Sequence, residues 1–155
     1  MAKKLSRKEI QTFKKLLKRV PPVPNIPREL FVLIMSKCVP ATSDIAIVRN
    51  HKVLLYYDDA FFMGWAFPGG YIGPGETLHM AAKRVALKEL GVEVCCSKLI
   101  AANVNAGNTR FQDVSLLSLC SANGEPKQGR WFSRRPSNMV PVHKKLWTAI
   151  KPYLK

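Results

Sequence analysis

The sequence predicts an α/β sandwich with a mixed β-sheet. Short apolar runs bounded by turn residues recur between residues 45 and 132, a glycine-rich loop leads into an amphipathic helix at residues 69–91, and a second amphipathic helix closes the chain. Strands interrupted by helices of this kind bury their apolar sides in a layered α/β arrangement. The 155 residues, 47% of them hydrophobic, are within the size of one core, so we expect a single domain.

Residues 1–40 are predicted to form a basic helical extension that packs on a globular domain formed by residues 41–155. A first helix over about residues 7–19 begins with a Ser6-x-x-Glu9 capping box and ends before the proline run at residues 21–24. A short second helix follows at about residues 28–37. The first helix is basic and amphipathic, so it can lie on nucleic acid, on an anionic membrane surface or on the core. Packing on the core is the expected arrangement.

The remaining elements follow from the spacing of apolar and turn residues. Residues 45–49 and 53–57 flank the polar turn at Asn50 and His51 and predict a β-hairpin. Further strands are expected near residues 65–67, 93–103, 111–121 and 130–132. The last helix is expected to begin near Val142 and to carry Leu146, Trp147 and Ile150 inward.

The glycine-rich loop and the helix after it are the part of the chain that points to chemistry. Glycines and prolines at residues 68–75 allow the backbone to approach a ligand closely, which suits a phosphate or a metal ion. Apolar residues from Thr77 to Leu90 recur at helical spacing, and Gly91 ends the helix. Charged residues about one turn apart share a neighbouring stripe that can face the loop, namely Arg84, Lys88 and Glu89. For a lone helix, solvated surface charges would be the alternative.

The spacing of this segment resembles the box of the Nudix hydrolase family, G-x5-E-x7-R-E-U-x-E-E-x-G-U, where U is aliphatic. The matching residues are Gly70, Glu76, Arg84, Glu89, Gly91 and Val92. Val85 and Lys88 stand where the family carries two metal-site glutamates. The resemblance is specific over residues 65–92 and extends over about residues 41–150. It implies a Nudix-type α/β/α sandwich and a hydrolase of a nucleoside diphosphate linked to another moiety.

Within the family, the damaged box resembles that of the GDP-mannose mannosyl hydrolases, which implies attack at a sugar carbon and a nucleotide sugar as substrate. The resemblance implies one Mg²⁺, with Mn²⁺ as an alternative, held by the Gly69 carbonyl and by Glu89. A further ligand of that subgroup precedes an Arg-Trp pair, and Glu125 stands near that place, while its histidine base is absent. The expected substrate contacts are Gly70, Arg84, Lys88 and Arg130.

Other residues near the box have supporting or open roles. Glu76 is expected to pair with Arg84 and brace the loop. Lys88 either clamps a phosphate oxygen or is a solvated lysine. The candidates for a general base are Glu125, Asp113 and His79, each of which also has an ordinary reading as a surface or strand-edge residue. His51 and His143 are assigned no role.

Charge and composition indicate which kinds of partner to expect. The net charge is +15, and the excess lies at the two ends: residues 1–28 carry nine Lys or Arg against Glu9, and residues 125–155 carry eight against Glu125. A positive field favours phosphate-bearing ligands, so nucleic acid could bind through the basic ends. No apolar run approaches the roughly 18 residues of a membrane helix, so no membrane insertion is expected. The sequence leaves open whether the protein forms a homodimer.

The compartment and the function class follow as expectations. Without a signal segment or a CxxC pair, we expect a cytoplasmic protein whose four cysteines are reduced. Three function classes are compatible with the sequence: a Mg²⁺-dependent Nudix hydrolase, a catalytically degenerate Nudix-fold module that binds RNA or a nucleotide, and a protein-interaction scaffold. The hydrolase is the leading one.

Overall fold

The structure of the protein is a computed structural model, and it describes residues 4–22, 25–60, 62–106 and 112–155. The helices are α1 (Arg7–Leu17), α2 (Arg28–Met35), α3 (Leu78–Leu90) and α4 (Pro141–Ile150), and a 3₁₀ turn spans Lys151–Leu154. The strands are β1 (Ala41–Arg49), β2 (Lys52–Asp58), β3 (Gly64–Ala66), β4 (Gly69–Tyr71), β5 (Glu93–Asn105), β6 (Asp113–Asn123) and β7 (Arg130–Phe132). The predicted helices and strands are present with ends shifted by a few residues. Phe111, the expected start of one strand, lies outside the described residues.

The strands form one mixed sheet in the order β3-β2-β1-β6-β5, with β4 paired to β1 and β7 paired to β2. β1 runs parallel to β6 and antiparallel to β2 and β4. The mixed α/β architecture is therefore confirmed. One element was predicted wrongly: the Gly69–Tyr71 segment was expected to be a loop, but it forms β4 and places Gly69 opposite Asp44. Backbone pairing with β1 overrides the weak strand propensity of two glycines.

Each face of the sheet is covered by one helix. On one face, Ala82, Val85, Ala86 and Leu90 of α3 pack in a cluster with Ile45 and Ile47 of β1. On the other face, the inward residues of α4 pack with Ala46, which lies between those two isoleucines. Alternate residues of β1 therefore supply both cores, as the period of a strand requires. This is the two-sided sandwich expected from the apolar patterns.

The first helix is exposed along its whole length. Ser6 caps α1 by accepting from the Glu9 amide, and the Glu9 side chain accepts from the Ser6 amide, so the predicted capping box is present. However, α1 has no buried residue, and Phe13 and Leu16 are both more than half exposed. Within the same N-terminal extension, α2 does contact the domain, because the Phe31 ring lies 4.9 Å from the Tyr71 ring, so the packing of residues 1–40 stays a prediction. None of the helices in the described ranges is both long and apolar enough to cross a bilayer.

The cysteines differ from the expectation of four reduced thiols. Cys96 of β5 lies directly opposite Cys120 of β6, and the two form a disulfide. Cys38 and Cys95 are free and exposed. The expectation failed because strand register, which the sequence does not display, decides which cysteines face each other.

Candidate active site

The α3 helix presents the charged stripe to the glycine-rich segment. Thr77 caps its first turn by accepting from the Met80 amide, and Gly91 ends it in the left-handed conformation at φ 64°. The buried face of α3 fixes its rotation on the sheet. Arg84, Lys88 and Glu89 consequently line one cavity together with Gly69 and Gly70.

Glu89 contacts the glycine strand directly. The Gly69 amide donates a hydrogen bond of 3.1 Å to Glu89 Oε2. Burial is the main cause that raises the pKa of Glu89 to about 7, and the nearby Asp44 carboxylate also contributes. Because burial outweighs the hydrogen bond from the Gly69 amide, the Glu89 carboxylate is costly to ionise unless a cation is close.

Glu76 and Arg84 brace the loop as the sequence predicts. Arg84 donates from Nε to Glu76 Oε1 (2.6 Å) and from Nη2 to Glu76 Oε2 (2.7 Å), and it also donates to the Tyr71 carbonyl at 2.8 Å. Glu76 Oε2 accepts from the Gly73 amide at 2.7 Å. These hydrogen bonds lower the pKa of Glu76 to about 2. The pair thus ties α3 to both ends of the turn that follows β4.

The cavity next to Glu89 has a volume of about 510 Å³. It is bounded on one side by α3 and β4, on another by α2, and at its inner end by polar residues of the sheet. The carboxylates that line it are Asp44, Asp58, Glu89 and Asp113. Lys88 and Arg84 bring positive charge to the same wall. A cleft with this mixture suits a ligand that has both anionic and hydroxyl groups.

Asp44 and His143 form a buried pair inside the cavity. Asp44 Oδ2 accepts from the Thr42 hydroxyl at 2.9 Å, and burial raises the pKa of Asp44 to about 7. The Phe67 amide donates to His143 Nδ1 at 3.0 Å. Since this nitrogen accepts, a neutral His143 ring carries its proton on Nε2, which lies 3.7 Å from Asp44 Oδ1. Burial lowers the pKa of His143 to about 4, so the ring is neutral at neutral pH.

A hydrogen-bonded cluster continues from Asp44 into β5 and β6. Asn105 Nδ2 donates to Asp113 Oδ1 at 2.7 Å and to the Ser115 hydroxyl at 2.8 Å. Both Asn105 and Asp113 are 5% exposed. Buried polar side chains are normally satisfied, and these are satisfied mainly by one another. The cluster therefore forms a rigid polar floor.

Val85 and Lys88, which replace two glutamates of the box, have different environments. Val85 is buried in the core below α3, and a β-carbon on Gly70 would lie 3.1 Å from Val85 Cγ2. Lys88 is exposed along the cavity, and its charge opposes the rise in the pKa of Glu89. Val85 therefore makes its part of the cavity wall apolar, and Lys88 makes its part cationic.

Several residues singled out in the sequence lie elsewhere. Glu125 is exposed, pairs with Arg49 and is not part of the cavity lining. The Arg130 guanidinium lies over the Phe132 ring, 5.7 Å from its centroid, also outside that lining. His79 is exposed on the first turn of α3. Of the three base candidates, Asp113 alone lines the cavity.

Sequence reasoning missed Asp44, Asn105, Ser115 and His143. The sequence did contain a signal for Asp44, because this carboxylate directly precedes the apolar run of a predicted strand. A carboxylate in such a strand is rarely buried without a structural or functional reason. No comparable signal existed for His143. It reaches the cavity only because α4 packs across the sheet, bringing it to the end of β3.

The oxygen ligands at this site fit a single hard divalent ion such as Mg²⁺ or Mn²⁺. Glu89 and Asp44 both line the cavity, and the Asp44 charge adds to the cost of ionising Glu89, which a cation would relieve. Among the residues that the structure describes, no group of three or more His, Cys, Asp and Glu side chains is placed to hold a metal. The Glu89 carboxylate would suit one ion completed by phosphate oxygens and water.

Known proteins with the same architecture support this assignment of the fold. The NUDIX domain profile matches residues 40–148. The MutT NUDIX hydrolase from Burkholderia pseudomallei is similar with a TM-score of 0.65 at 21% identity, over 73% of this chain and 98% of that one. An ADP-ribose pyrophosphatase from Streptococcus suis is similar with a TM-score of 0.55 at 20% identity, over 76% and 89%. No curated protein sequence matches the chain.

A further solved structure covers more of the chain. A UDP-X diphosphatase is similar over 94% of this chain and 81% of that one, with a TM-score of 0.60 at 15% identity. At this level of identity the similarity concerns the fold. The departures at Val85 and Lys88 therefore have to be interpreted from this chain's own geometry.

Proposed function

This chain belongs to the Nudix family, whose domain spans residues 40–148, and we propose that it is a Mg²⁺-dependent hydrolase of a nucleoside diphosphate linked to another moiety. The observation that supports this most is the position of Glu89. It is the box carboxylate that remains at a metal-site position, and it lines the same cavity as the glycine strand, Asp44 and Lys88. A single carboxylate with a second one nearby is sufficient for an ion that also binds substrate phosphates.

Each wall of the cavity has a role in this proposal. Glu89 would hold the ion, and the carbonyl of Gly69 is the further ligand proposed from the family resemblance. When bound, Mg²⁺ would neutralise the diphosphate and polarise the bond that breaks. Lys88 would contact a phosphate oxygen as a point charge. Arg84 is committed to Glu76 and positions the loop.

Asp44 is the base that we favour for activating water. Its pKa of about 7 lets the carboxylate accept a proton from water and release it near neutral pH. His143 would position Asp44, because its Nε2 lies 3.7 Å from Asp44 Oδ1 while the Phe67 amide fixes the ring. Water would lose a proton to Asp44 as its oxygen attacks, and the diphosphate fragment would leave with the electron pair of the broken bond.

A nucleotide sugar is the substrate class that the inner end of the cavity favours. Asp113, Asn105 and Ser115 line this end and give it a polar floor that is compatible with sugar hydroxyls. The likeness of the box to GDP-mannose mannosyl hydrolases supports attack at the sugar carbon. Glu125 and Arg130 are outside the cavity and have no role in this proposal.

The experiment is a substrate panel. Nucleotide sugars, dinucleotides and capped RNA would be incubated with the protein and Mg²⁺ in ¹⁸O-labelled water, and products identified by mass. We expect turnover of a nucleotide sugar with label in the sugar. Label in the phosphate would contradict attack at carbon while leaving the hydrolase assignment intact. Absence of turnover on the whole panel would contradict the hydrolase.

The second candidate is a Nudix-fold module that binds a nucleotide or RNA without hydrolysis. The observation that favours it is Val85, a core residue at a metal-site position of the box. Titration calorimetry with nucleoside diphosphates and with single-stranded RNA distinguishes the candidates. Tight binding without turnover, weakening steeply with salt in the case of RNA, would favour the module.

A further inference from the structure

The α1 helix exposes an apolar stripe that is interrupted by Glu9, the acidic residue of its capping box. Ile10, Phe13, Leu16 and Leu17 are between 39% and 56% exposed, and none of them is buried against the domain. At about 100° per residue these four side chains fall within an arc of about 120°. An apolar stripe of this kind is costly to leave in water, so it indicates a surface that something else covers.

The opposite side of α1 and its last turn is strongly basic. Six basic residues occupy an arc of about 140° that does not overlap the apolar stripe. They are Arg7, Lys8, Lys14, Lys15, Lys18 and Arg19. The acidic residue on this helix, Glu9, is engaged in the capping box with Ser6. The helix therefore combines an apolar face with a nearly uncompensated positive face.

Exposed apolar side chains are concentrated at this end of the chain. Of fourteen large hydrophobic residues that are exposed in the described part, eight lie within residues 5–39. Three of these belong to α2 and the residues after it, namely Leu30, Leu33 and Val39. Large exposed apolar side chains are therefore more frequent in and around α1 and α2 than in the rest of the described chain.

We propose that α1 is an amphipathic helix that lies on the surface of an anionic phospholipid membrane. Such a surface offers acyl chains to Phe13 and the leucines and negative headgroups to the basic residues that flank them. RNA would neutralise the lysines but leave the apolar stripe in water. A second copy of the chain would cover the stripe but bring two strongly basic helices together. An anionic membrane satisfies both faces at once, and the helix lies along it without crossing it.

The length of α1 fits this role. An isolated helix of 11 residues is marginally stable in water, so burial of its apolar face at a membrane would stabilise it. Because α1 buries nothing against the sandwich, substitutions on it leave the domain fold unchanged. Membrane binding can therefore be tested without loss of the folded protein, and independently of hydrolysis.

The experiment is co-sedimentation of the full chain with vesicles. One set contains phosphatidylcholine alone, and the other contains equimolar phosphatidylcholine and phosphatidylglycerol. The test variant is the double substitution Phe13→Ser and Leu16→Ser, which removes apolar area and keeps every charge. The matched control is Gln11→Ser and Thr12→Ser on the same helix. A third variant, Lys14→Gln with Lys15→Gln, removes charge and keeps the apolar stripe.

We expect binding to the anionic vesicles to exceed binding to the neutral ones by about tenfold or more. The Phe13/Leu16 variant should lose about tenfold or more of this binding, the charge variant a similar amount, and the control variant none. Binding that survives loss of Phe13 and Leu16 would overturn the proposal, because charge alone would then account for it. No binding to anionic vesicles would also overturn it, and salt-sensitive RNA binding or a dimer that depends on α1 would identify the alternative occupant.

Discussion

Asp44 and Gly69 face each other on β1 and β4 at a separation that only glycine allows. A β-carbon on residue 69 would lie 2.0 Å from Asp44 Oδ1, closer than any real contact. The same glycine donates its amide to Glu89. The missing side chain of Gly69 thus brings two carboxylates of the cavity to one backbone segment, and this arrangement underlies the proposed site.

Replacement of Gly69 by Ala should displace Asp44 and disturb Glu89. We expect a loss of about 1 to 3 kcal/mol in the free energy of unfolding, measured by urea denaturation, because the added methyl group meets a buried carboxylate on a paired strand. The rate of hydrolysis should fall further than the loss of folded protein alone would explain. Gly70→Ala is the matched control, since its β-carbon would meet a side-chain methyl of Val85 at 3.1 Å, and the milder contact predicts a smaller loss. Equal losses in the two variants would contradict this account.

Replacement of Glu76 by Gln tests the brace on the loop. Arg84 would lose its charged partner while remaining partly buried, so we expect a loss of about 1 to 2 kcal/mol at neutral pH. Because Arg84 lowers the pKa of Glu76 to about 2, this stabilisation is present above the unfolded pKa of about 4.5 and disappears as the pH falls through about 2. Urea denaturation at several pH values measures it, with exposed Glu93→Gln as the control. A difference that does not change with pH would contradict the ion pair as its source.

Replacement of His143 by Gln tests the buried neutral ring. Burial lowers the pKa of His143 to about 4, so between about pH 6.5 and pH 4 the unfolded chain binds a proton that the folded protein does not. The wild type should therefore lose stability relative to His143→Gln as the pH falls through this window, by about 3 kcal/mol. The Gln oxygen can still accept from the Phe67 amide. If the free energy of unfolding depended on pH in the same way for both proteins, the ring would not be held neutral in the folded state.

The double substitution Val85→Glu with Lys88→Glu restores the two missing glutamates. We expect the variant to be less stable than the wild type without metal, because a carboxylate enters the core at residue 85. Added Mg²⁺ or Mn²⁺ should then raise its melting temperature more than that of the wild type, since two new ligands join Glu89. Thermal unfolding with and without the ions, and with a chelator, provides the measurement. An identical response of both proteins to metal would show that these positions do not face the ion.

Local patterns predicted most of the fold. The glycines, prolines and apolar spacing of residues 65–92 predict the box segment, and the pairing of Glu76 with Arg84 follows from positions eight residues apart on a loop and the helix that it leads into. The strand formed by Gly69–Tyr71 could not be predicted in this way. Gly69 and Gly70 have little strand propensity, and β1 supplies the pairing.

The inner half of the candidate site depends on tertiary structure. Asp44, Asn105 and His143 come from β1, β5 and α4, and nothing in their local sequence shows that they meet. Glu125 illustrates the converse, because the subgroup resemblance predicts a metal ligand near it, while its side chain is outside the cavity lining and pairs with Arg49. Sequence spacing identifies neighbours along one element, whereas packing of the sheet and helices decides which elements converge.

The central claim is that Glu89 holds the ion that hydrolysis requires, and Glu89→Gln tests it most directly. Gln can still accept from the Gly69 amide, so the fold should persist. Because burial raises the pKa of Glu89 to about 7, its ionised form destabilises the folded protein above that pH, and the cost is absent below about pH 4.5. Glu89→Gln should therefore be more stable than the wild type at about pH 8, by about 1 to 3 kcal/mol.

The decisive measurement is Mg²⁺-dependent turnover of the nucleotide sugar panel by Glu89→Gln, with Glu93→Gln as the matched control on an exposed carboxylate. We predict that Glu89→Gln retains its fold and loses turnover by about a thousandfold or more, as expected when the ligand of a catalytic ion is removed, while the control is unaffected. Turnover at the wild-type rate, with the same dependence on Mg²⁺, would contradict the assignment of Glu89.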